Sequence, residues 1–289
     1  MKLVWQIALL GLALSAALSA QFQPVFRAST DLVSVYATVR SREGRLVTNL
    51  PQERFRITAA GKPVGVVAFS NEPQAITAAV IVDMSGSMAS RLLWIKRTVR
   101  QFFDALNPID RVRLGSFGSE VALSPHLTGD RRILDRVLEE ELWPGGGTPM
   151  WEGTVAAAES LIKEAGLRSV VIISDGEPSS FGAWRKEAYD LLTREQILVY
   201  GINQRGGGLG ALRGLADETG GGFVELTPNE QAGKTMAQVA EELRHRYLLG
   251  FVPPVRDGRM HDLRITTDGG GFTVRAQRKF TAPSGGAQR

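Results

Sequence analysis

Asp83, Ser85 and Ser87 stand at alternate positions of the stretch Ala79-Val80-Ile81-Val82-Asp83-Met84-Ser85-Gly86-Ser87-Met88. One carboxylate and two hydroxyls, delivered by a tight loop that Gly86 is expected to bend, form a hard, all-oxygen donor set. Such a set suits Mg2+ or Mn2+ rather than a soft metal. It does not complete an octahedron, so more oxygens must come from elsewhere in the chain, from water and from a ligand. Two later segments can supply them: Ser169-Val170-Val171-Ile172-Ile173-Ser174 leads into Asp175, and Gly145-Gly146-Gly147 leads to the hydroxyl of Thr148.

The apolar runs before Asp83 and Asp175 have the length and continuity of fully buried strands. A group at the C-terminal end of such a strand lies where open α/β sheets bind ligands. Adjacent parallel strands end side by side, which would turn Asp83 and Asp175 toward one small volume. Between and after these runs the apolar spacing changes to that of helices. Leu92, Ile95, Val99, Phe102 and Leu106 predict a helix over about 90–106, with Arg91, Lys96, Arg97 and Arg100 on its other faces as a solvated surface rather than a phosphate site. A strand over 111–117 and a helix opening at Gly129 and reaching Leu138 follow. Thr148-Pro149 then suits a helix start, with threonine as the cap and proline in the first turn, so Thr148 can cap a helix, bind an ion, or do both. Helices over 184–195, 209–219 and 230–246 alternate with strands over 198–202 and 223–226; Met236, Val239, Ala240 and Leu243 face inward on the last helix. The glycines of 206–210 lack the G-x-G-x-x-G spacing and read as a loop. The alternation predicts an α/β fold, a doubly wound, mainly parallel sheet covered on both faces.

The two ends of the chain have another texture. Val33, Val35, Ala37 and Val39 alternate with polar neighbours, as in a half-buried antiparallel strand. Arg42-Glu43-Gly44 is a turn, Phe55 and Ile57 mark a strand, Ala60-Gly61-Lys62-Pro63 turns again, and 64–69 closes the set. At the other end 247–251, 261–267 and 272–279 are strand-like, separated by Pro253-Pro254, Asp257-Gly258 and the glycines of 268–271. Each set alone is too small to be stable. The expectation is a small β module built from both ends of the chain.

The 289 residues are 43% hydrophobic and 22% charged, ordinary for a globular protein with room for a full core. The net charge of +4 comes from 34 basic and 30 acidic residues, well mixed, with no long basic run and nothing that favours nucleic acid. Absence of cysteine excludes disulfides, thiolate nucleophiles and zinc-thiolate sites, and is compatible with an oxidising compartment. His126, His245 and His261 are far apart in sequence and outline neither a metal motif nor a Ser-His-Asp arrangement. Residues 1–20 have the form of a secretory signal peptide cut after Ala20, the alternative being an uncleaved anchor. The expected order is a signal peptide (1–20), an N-terminal β segment (21–75), the α/β domain (76–246), a C-terminal β segment that pairs with the first (247–281) and a disordered tail (282–289). A secreted or periplasmic protein with no membrane span after signal removal would follow.

Asp83, Ser85, Ser87, Thr148 and Asp175, in this order and in this strand and loop context, resemble the metal-ion-dependent adhesion site of the von Willebrand factor A domain. The resemblance implies a Rossmann-like fold for 76–246. It implies that Ser85, Ser87 and Thr148 bind Mg2+ or Mn2+ directly, and that Asp83 and Asp175 act largely through bound water. The open coordination position would take an acidic side chain from a partner. The order of leader, β segment, α/β domain and a closing Tyr247-Leu248-Leu249-Gly250-Phe251 followed by Asp257-Gly258 and His261 is similar to the secreted bacterial VWFA-related proteins best known from acidobacteria. One departure is Ala59-Ala60-Gly61, where acidic or amide residues are expected before the glycine.

The first functional reading is therefore a metal-dependent binding or adhesion module, not an enzyme, that holds an Asp or Glu carboxylate of a protein or polymer through Mg2+. A second is a structural or assembly role in the cell envelope carried by the β module. A third, a metal-dependent hydrolase with Asp83 as nucleophile, lacks a second acid two residues on, where Ser85 stands, and has no general acid or base placed by the sequence.

Overall fold

The computed structural model describes residues 32–175, 178–179, 182–203, 210–226 and 232–285. The expected leader, the glycine-rich stretch 206–209, the first residues of the last helix and the end of the tail lie outside them. In chain order the N-terminal stretch forms β1 (Val33–Ser41), β2 (Leu46–Val47), β3 (Phe55–Ala59), β4 (Lys62–Val64) and β5 (Ala68–Ser70). The central part follows as β6 (Thr77–Asp83), a 3-10 turn (Gly86–Arg91), α1 (Leu92–Asp104), β7 (Arg111–Phe117), β8 (Val121–Leu123), α2 (Arg131–Glu140), α3 (Met150–Glu159), β9 (Arg168–Ser174), α4 (Ala183–Arg194), β10 (Leu198–Asn203), α5 (Gly210–Thr219), β11 (Gly222–Glu225) and α6 (Ala232–Arg244). The chain closes with β12 (Tyr247–Phe251), β13 (Met260–Thr267), β14 (Phe272–Ala276) and β15 (Lys279–Thr281).

The central sheet has the order β11-β10-β9-β6-β7-β8. All its pairings are parallel except that of β7 with β8. β6 lies in the interior of the sheet and every one of its residues is buried, which is why its sequence shows no alternation. Successive β6 side chains enter opposite layers: Val80 and Val82 join Ile95, Val99 and Phe102 of α1, Leu134 and Leu138 of α2, and Met236 and Leu243 of α6. Ala79 and Ile81 join Trp151 and Val155 of α3, Leu191 of α4, and Leu212 and Leu215 of α5. Each fully buried Val or Ile contributes about 1.5–3 kcal/mol. The start of β6 is fixed by Asp110, fully buried, which accepts the Ile76 N–H at 2.7 Å and pairs with Arg244 at the end of α6 at 2.6 Å.

Several elements differ from expectation. The first helix begins later, because 86–91 winds as a tighter 3-10 turn. α3 starts at Met150 with Pro149 in the cap position and no side-chain cap, so Thr148 does not cap it. The antiparallel edge strand β8 was not expected. The stretch 64–69 is not one strand: Lys62–Val64 pairs with β3, whereas Ala68–Ser70 pairs with β12. Likewise 272–279 divides between β14, which pairs with β1, and β15, which pairs with β13. A continuous β-like sequence does not reveal where the chain crosses from one sheet to another.

The remaining strands form two antiparallel sheets. One has the order β14-β1-β12-β5 with β2 on β1, the other β15-β13-β3-β4. Val35, Ala37, Phe55, Ile57, Tyr247, Leu249, Phe251, Leu263 and Phe280 share one core between them. Glu242 of α6 reaches the first of these sheets. It accepts hydrogen bonds from Tyr200 at 2.7 Å and Thr38 at 3.4 Å, and forms ion pairs with Arg40 and Arg275. Burial pushes its pKa up, but Arg275, Arg246 and the Tyr200 hydroxyl outweigh this and hold it below the usual carboxylate range.

Candidate metal centre

β6 and β9 are neighbours with Val82 opposite Ile173, so Asp83 and Ser174 end their strands side by side. Ser174 donates its hydroxyl to Asp83 Oδ2 at 2.6 Å, and the backbone N–H of Ser85 donates to Asp83 Oδ1 at 2.9 Å. The second bond is an Asx turn that folds the chain back over the end of β6. Ser85 and Ser87 then place their hydroxyl oxygens 3.2 Å apart, and Ser87 donates to Asp175 Oδ1 at 3.0 Å. A hydrogen-bonded series thus runs from Ser174 and Asp83 through the Ser85 backbone N–H to the Ser85 and Ser87 hydroxyls and on to Asp175. Asp83, Ser85 and Asp175 are buried and Ser87 is exposed, so the series opens to solvent on the Ser87 side.

Asp83 is fully buried, and burial raises its pKa; hydrogen bonds from Ser174 and Ser85 oppose the rise, and the nearby Asp175 charge adds to it. Asp175 is differently placed: its second oxygen, Oδ2, forms an ion pair with Arg91. Arg91 is therefore not part of a solvated helix face, as its sequence position implied. It closes the 3-10 turn and lies over a buried carboxylate.

Thr148 enters from a third segment. The Gly145 N–H donates to Met84 O at 2.7 Å and Gly86 N–H donates to Gly146 O at 3.3 Å, which lays this loop along the Asp83 turn. Gly146 has φ +80°, and a Cβ there would stand 2.4 Å from Ser119 N, so only glycine fits. Gly86 is different: its φ is not left-handed and a Cβ would meet nothing within 4 Å, so the turn does not depend on glycine at that position. Ser179 clamps Thr148 from the other side, accepting the Thr148 N–H on its hydroxyl at 2.9 Å and donating its own N–H to Thr148 O at 2.9 Å. The Thr148 hydroxyl takes no part in the series from Asp83 to Asp175. The sequence reading missed Ser174, Ser179 and Arg91. Ser174, adjacent to Asp175 at a strand end, carried a readable signal; the other two carried none.

Among the described residues no three of His, Cys, Asp and Glu are grouped so as to hold a metal. The donors that converge are two carboxylates and the hydroxyls of Ser85 and Ser87, with Thr148 held alongside. This hard oxygen set is of the kind that fits Mg2+ or Mn2+, and among the described residues Asp83 has hydrogen bonds but no ion-pair partner.

Residues 78–177 match the family model of the von Willebrand factor type A domain, a span that includes all five expected site residues. No curated protein matches the chain. Among solved structures the chain is similar to the protein BatB from Bacteroides thetaiotaomicron, with 20% identity and a TM-score of 0.50 over 59% of this chain and 98% of that one. It is also similar to a von Willebrand factor type A protein from Catenulispora acidiphila, with 13% identity and a TM-score of 0.54 over 90% of this chain and 76% of that one. The central sheet with its two helical layers is a VWA-like α/β fold, and at these identities the likeness to solved structures speaks to fold alone. Among the described residues no helix is long and apolar enough to cross a membrane.

Proposed function

We propose that the protein is a non-enzymatic, metal-dependent binding module that holds an acidic side chain of a protein or polymer partner. The observation that carries this reading is the hydrogen-bonded series that gathers the Asp83 and Asp175 carboxylates and the Ser85 and Ser87 hydroxyls at the ends of two adjacent parallel strands. Ser85, Ser87 and Thr148 would hold Mg2+ or Mn2+ directly, with Asp83 and Asp175 supporting it through water. When bound, the ion supplies a Lewis-acidic position for a ligand carboxylate. VWA domains are commonly interaction and adhesion modules, which supports this role over catalysis, and the 1–20 leader supports secretion or a periplasmic location.

The antiparallel strands from the two ends are read as one β module, because β1 pairs with β12 and β14 and β3 pairs with β13. It forms a base for the α/β domain, tied to it through Glu242. The test is retention of the protein on immobilised poly-glutamate in Mg2+ and in EDTA. Retention in Mg2+ that is lost in EDTA and in Asp83→Ala is expected; equal retention in both buffers contradicts the reading.

A further inference from the structure

We infer that Arg91 is the cation this site keeps until a divalent ion replaces it, so that ion binding is an exchange of one cation for another at Asp175. The inference rests on the metal-binding reading above and concerns how the site is regulated.

Both oxygens of Asp175 are engaged, Oδ1 by the Ser87 hydroxyl and Oδ2 by the Arg91 guanidinium. The Asp175 side chain is 1% exposed and that of Arg91 27%. A buried carboxylate without a partner is strongly disfavoured, and Arg91 is the partner that holds Asp175 in place. Asp83 is served differently: among the described residues it has hydrogen bonds from Ser85 and Ser174 and no ion pair. Among the described residues the site thus holds two buried carboxylates and one cation, so one carboxylate has no cationic partner.

A divalent ion and the guanidinium would compete for Asp175. A divalent ion supported by Asp83, Ser85, Ser87 and Asp175 would sit within a few ångström of Arg91, in surroundings where like charges repel strongly. Arg91 has a route out: its long stem starts at the junction of the 3-10 turn and α1, and its side chain is already partly exposed. The guanidinium swings to solvent, Asp175 passes to the ion, and Ser87, four residues before Arg91 on the same turn, keeps its place. Arg91 therefore preorganises the empty site and at the same time weakens its hold on the ion, which sets the ion concentration at which the module switches on.

The test is titration of the full chain with Mg2+ by calorimetry and with Mn2+ by electron paramagnetic resonance, for wild type, Arg91→Ala and Arg91→Lys. Arg91→Gln, which keeps a hydrogen-bond donor for Asp175 without the charge, replaces Arg91→Ala if that variant does not fold. Removal of the charge is expected to tighten ion binding at least about fivefold, the lower end of ordinary coupling between sites, while lowering the Tm of the ion-free protein. Arg91→Lys returns both toward wild type. A merely structural role for Arg91 predicts the opposite sign, weaker binding in the less stable variant. Unchanged or weaker binding in the neutral variants, with wild type binding normally, overturns the exchange and leaves the metal reading standing. Absence of binding in wild type and variants alike overturns both.

Discussion

Ser174, the last residue of β9, donates its hydroxyl at 2.6 Å to Asp83, the last residue of β6, and so joins the ends of two neighbouring strands beneath the candidate ion site. The bond uses one of Asp83's two oxygens, and the Ser85 N–H uses the other. Among the described residues the carboxylate is held in place by hydrogen bonds alone, and its burial carries an electrostatic cost.

That cost has a pH signature. The folded pKa of Asp83 lies above its ordinary value, mainly through burial, so the native state keeps the proton to higher pH than the unfolded chain does. Its contribution to stability therefore falls as pH rises from the usual aspartate range through the raised value, and is constant above it. In EDTA, Asp83→Asn lacks this contribution. Chemical unfolding across pH 4 to 8 is expected to show the variant gaining on wild type as pH rises, with no further gain above the folded pKa.

Glu242 shows the reverse sign. Its folded pKa is depressed by Arg275, Arg246 and Tyr200 against the opposing effect of burial, so its stabilising effect is present above the ordinary glutamate pKa and lost as pH falls through the folded value. Glu242→Gln leaves Arg40 and Arg275 without their ion-pair partner. Breaking a buried pair costs about 3–5 kcal/mol, and because Arg246, fully buried, loses the same partner as the partly exposed Arg40 and Arg275, a loss within that range is expected. Denaturant titrations at neutral pH measure it, and the gap from wild type is expected to close in acid.

Gly146→Ala must move the backbone, because the added Cβ would lie 2.4 Å from Ser119 N at a φ of +80°. A loss of about 1–3 kcal/mol is expected. The loop that carries Thr148 moves with it, so the variant is also expected to bind Mn2+ more weakly than wild type, read by the same titration as above.

Ala60 adopts φ +49° in the turn between β3 and β4, a conformation that costs an L-residue about 1–2 kcal/mol and that asparagine tolerates far better. Ala60→Asn is expected to stabilise the protein by about 0.5–1 kcal/mol, visible as a rise in the denaturant midpoint at unchanged slope. Ala60 thus occupies a position whose conformation suits the acidic or amide residues expected there, and nothing in the structure explains why alanine stands in their place.

What was legible in the sequence follows from burial. β6 and β9 lie inside the sheet with both faces covered, so they appear as unbroken apolar runs, and the acids that end them stand out. α1 and α6 declare themselves by Ile95, Val99 and Phe102, and by Met236, Val239 and Leu243, at helical spacing. Contacts that depend on tertiary closure were hidden. Arg91 reads as a surface residue because nothing local tells that the turn before it will swing its side chain over Asp175. Glu242 lies on a helix of ordinary amphipathic pattern, and its arginine partners Arg40 and Arg275 come from opposite ends of the chain. β8 is too short, at Val121–Leu123, to show a period.

The central claim is that Asp83, Ser85, Ser87, Thr148 and Asp175 bind a divalent ion in the folded protein. Thermal unfolding of wild type and Asp83→Ala in EDTA and in millimolar Mg2+ tests it most directly. An ion that binds the native state alone stabilises it by about 2.7 kcal/mol at a hundredfold excess over Kd, a rise in Tm of roughly 4–5 °C for a chain of this size. The account predicts that rise in wild type and its absence in Asp83→Ala. A wild-type Tm that is the same in EDTA and Mg2+, or an equal rise in both proteins, would contradict it.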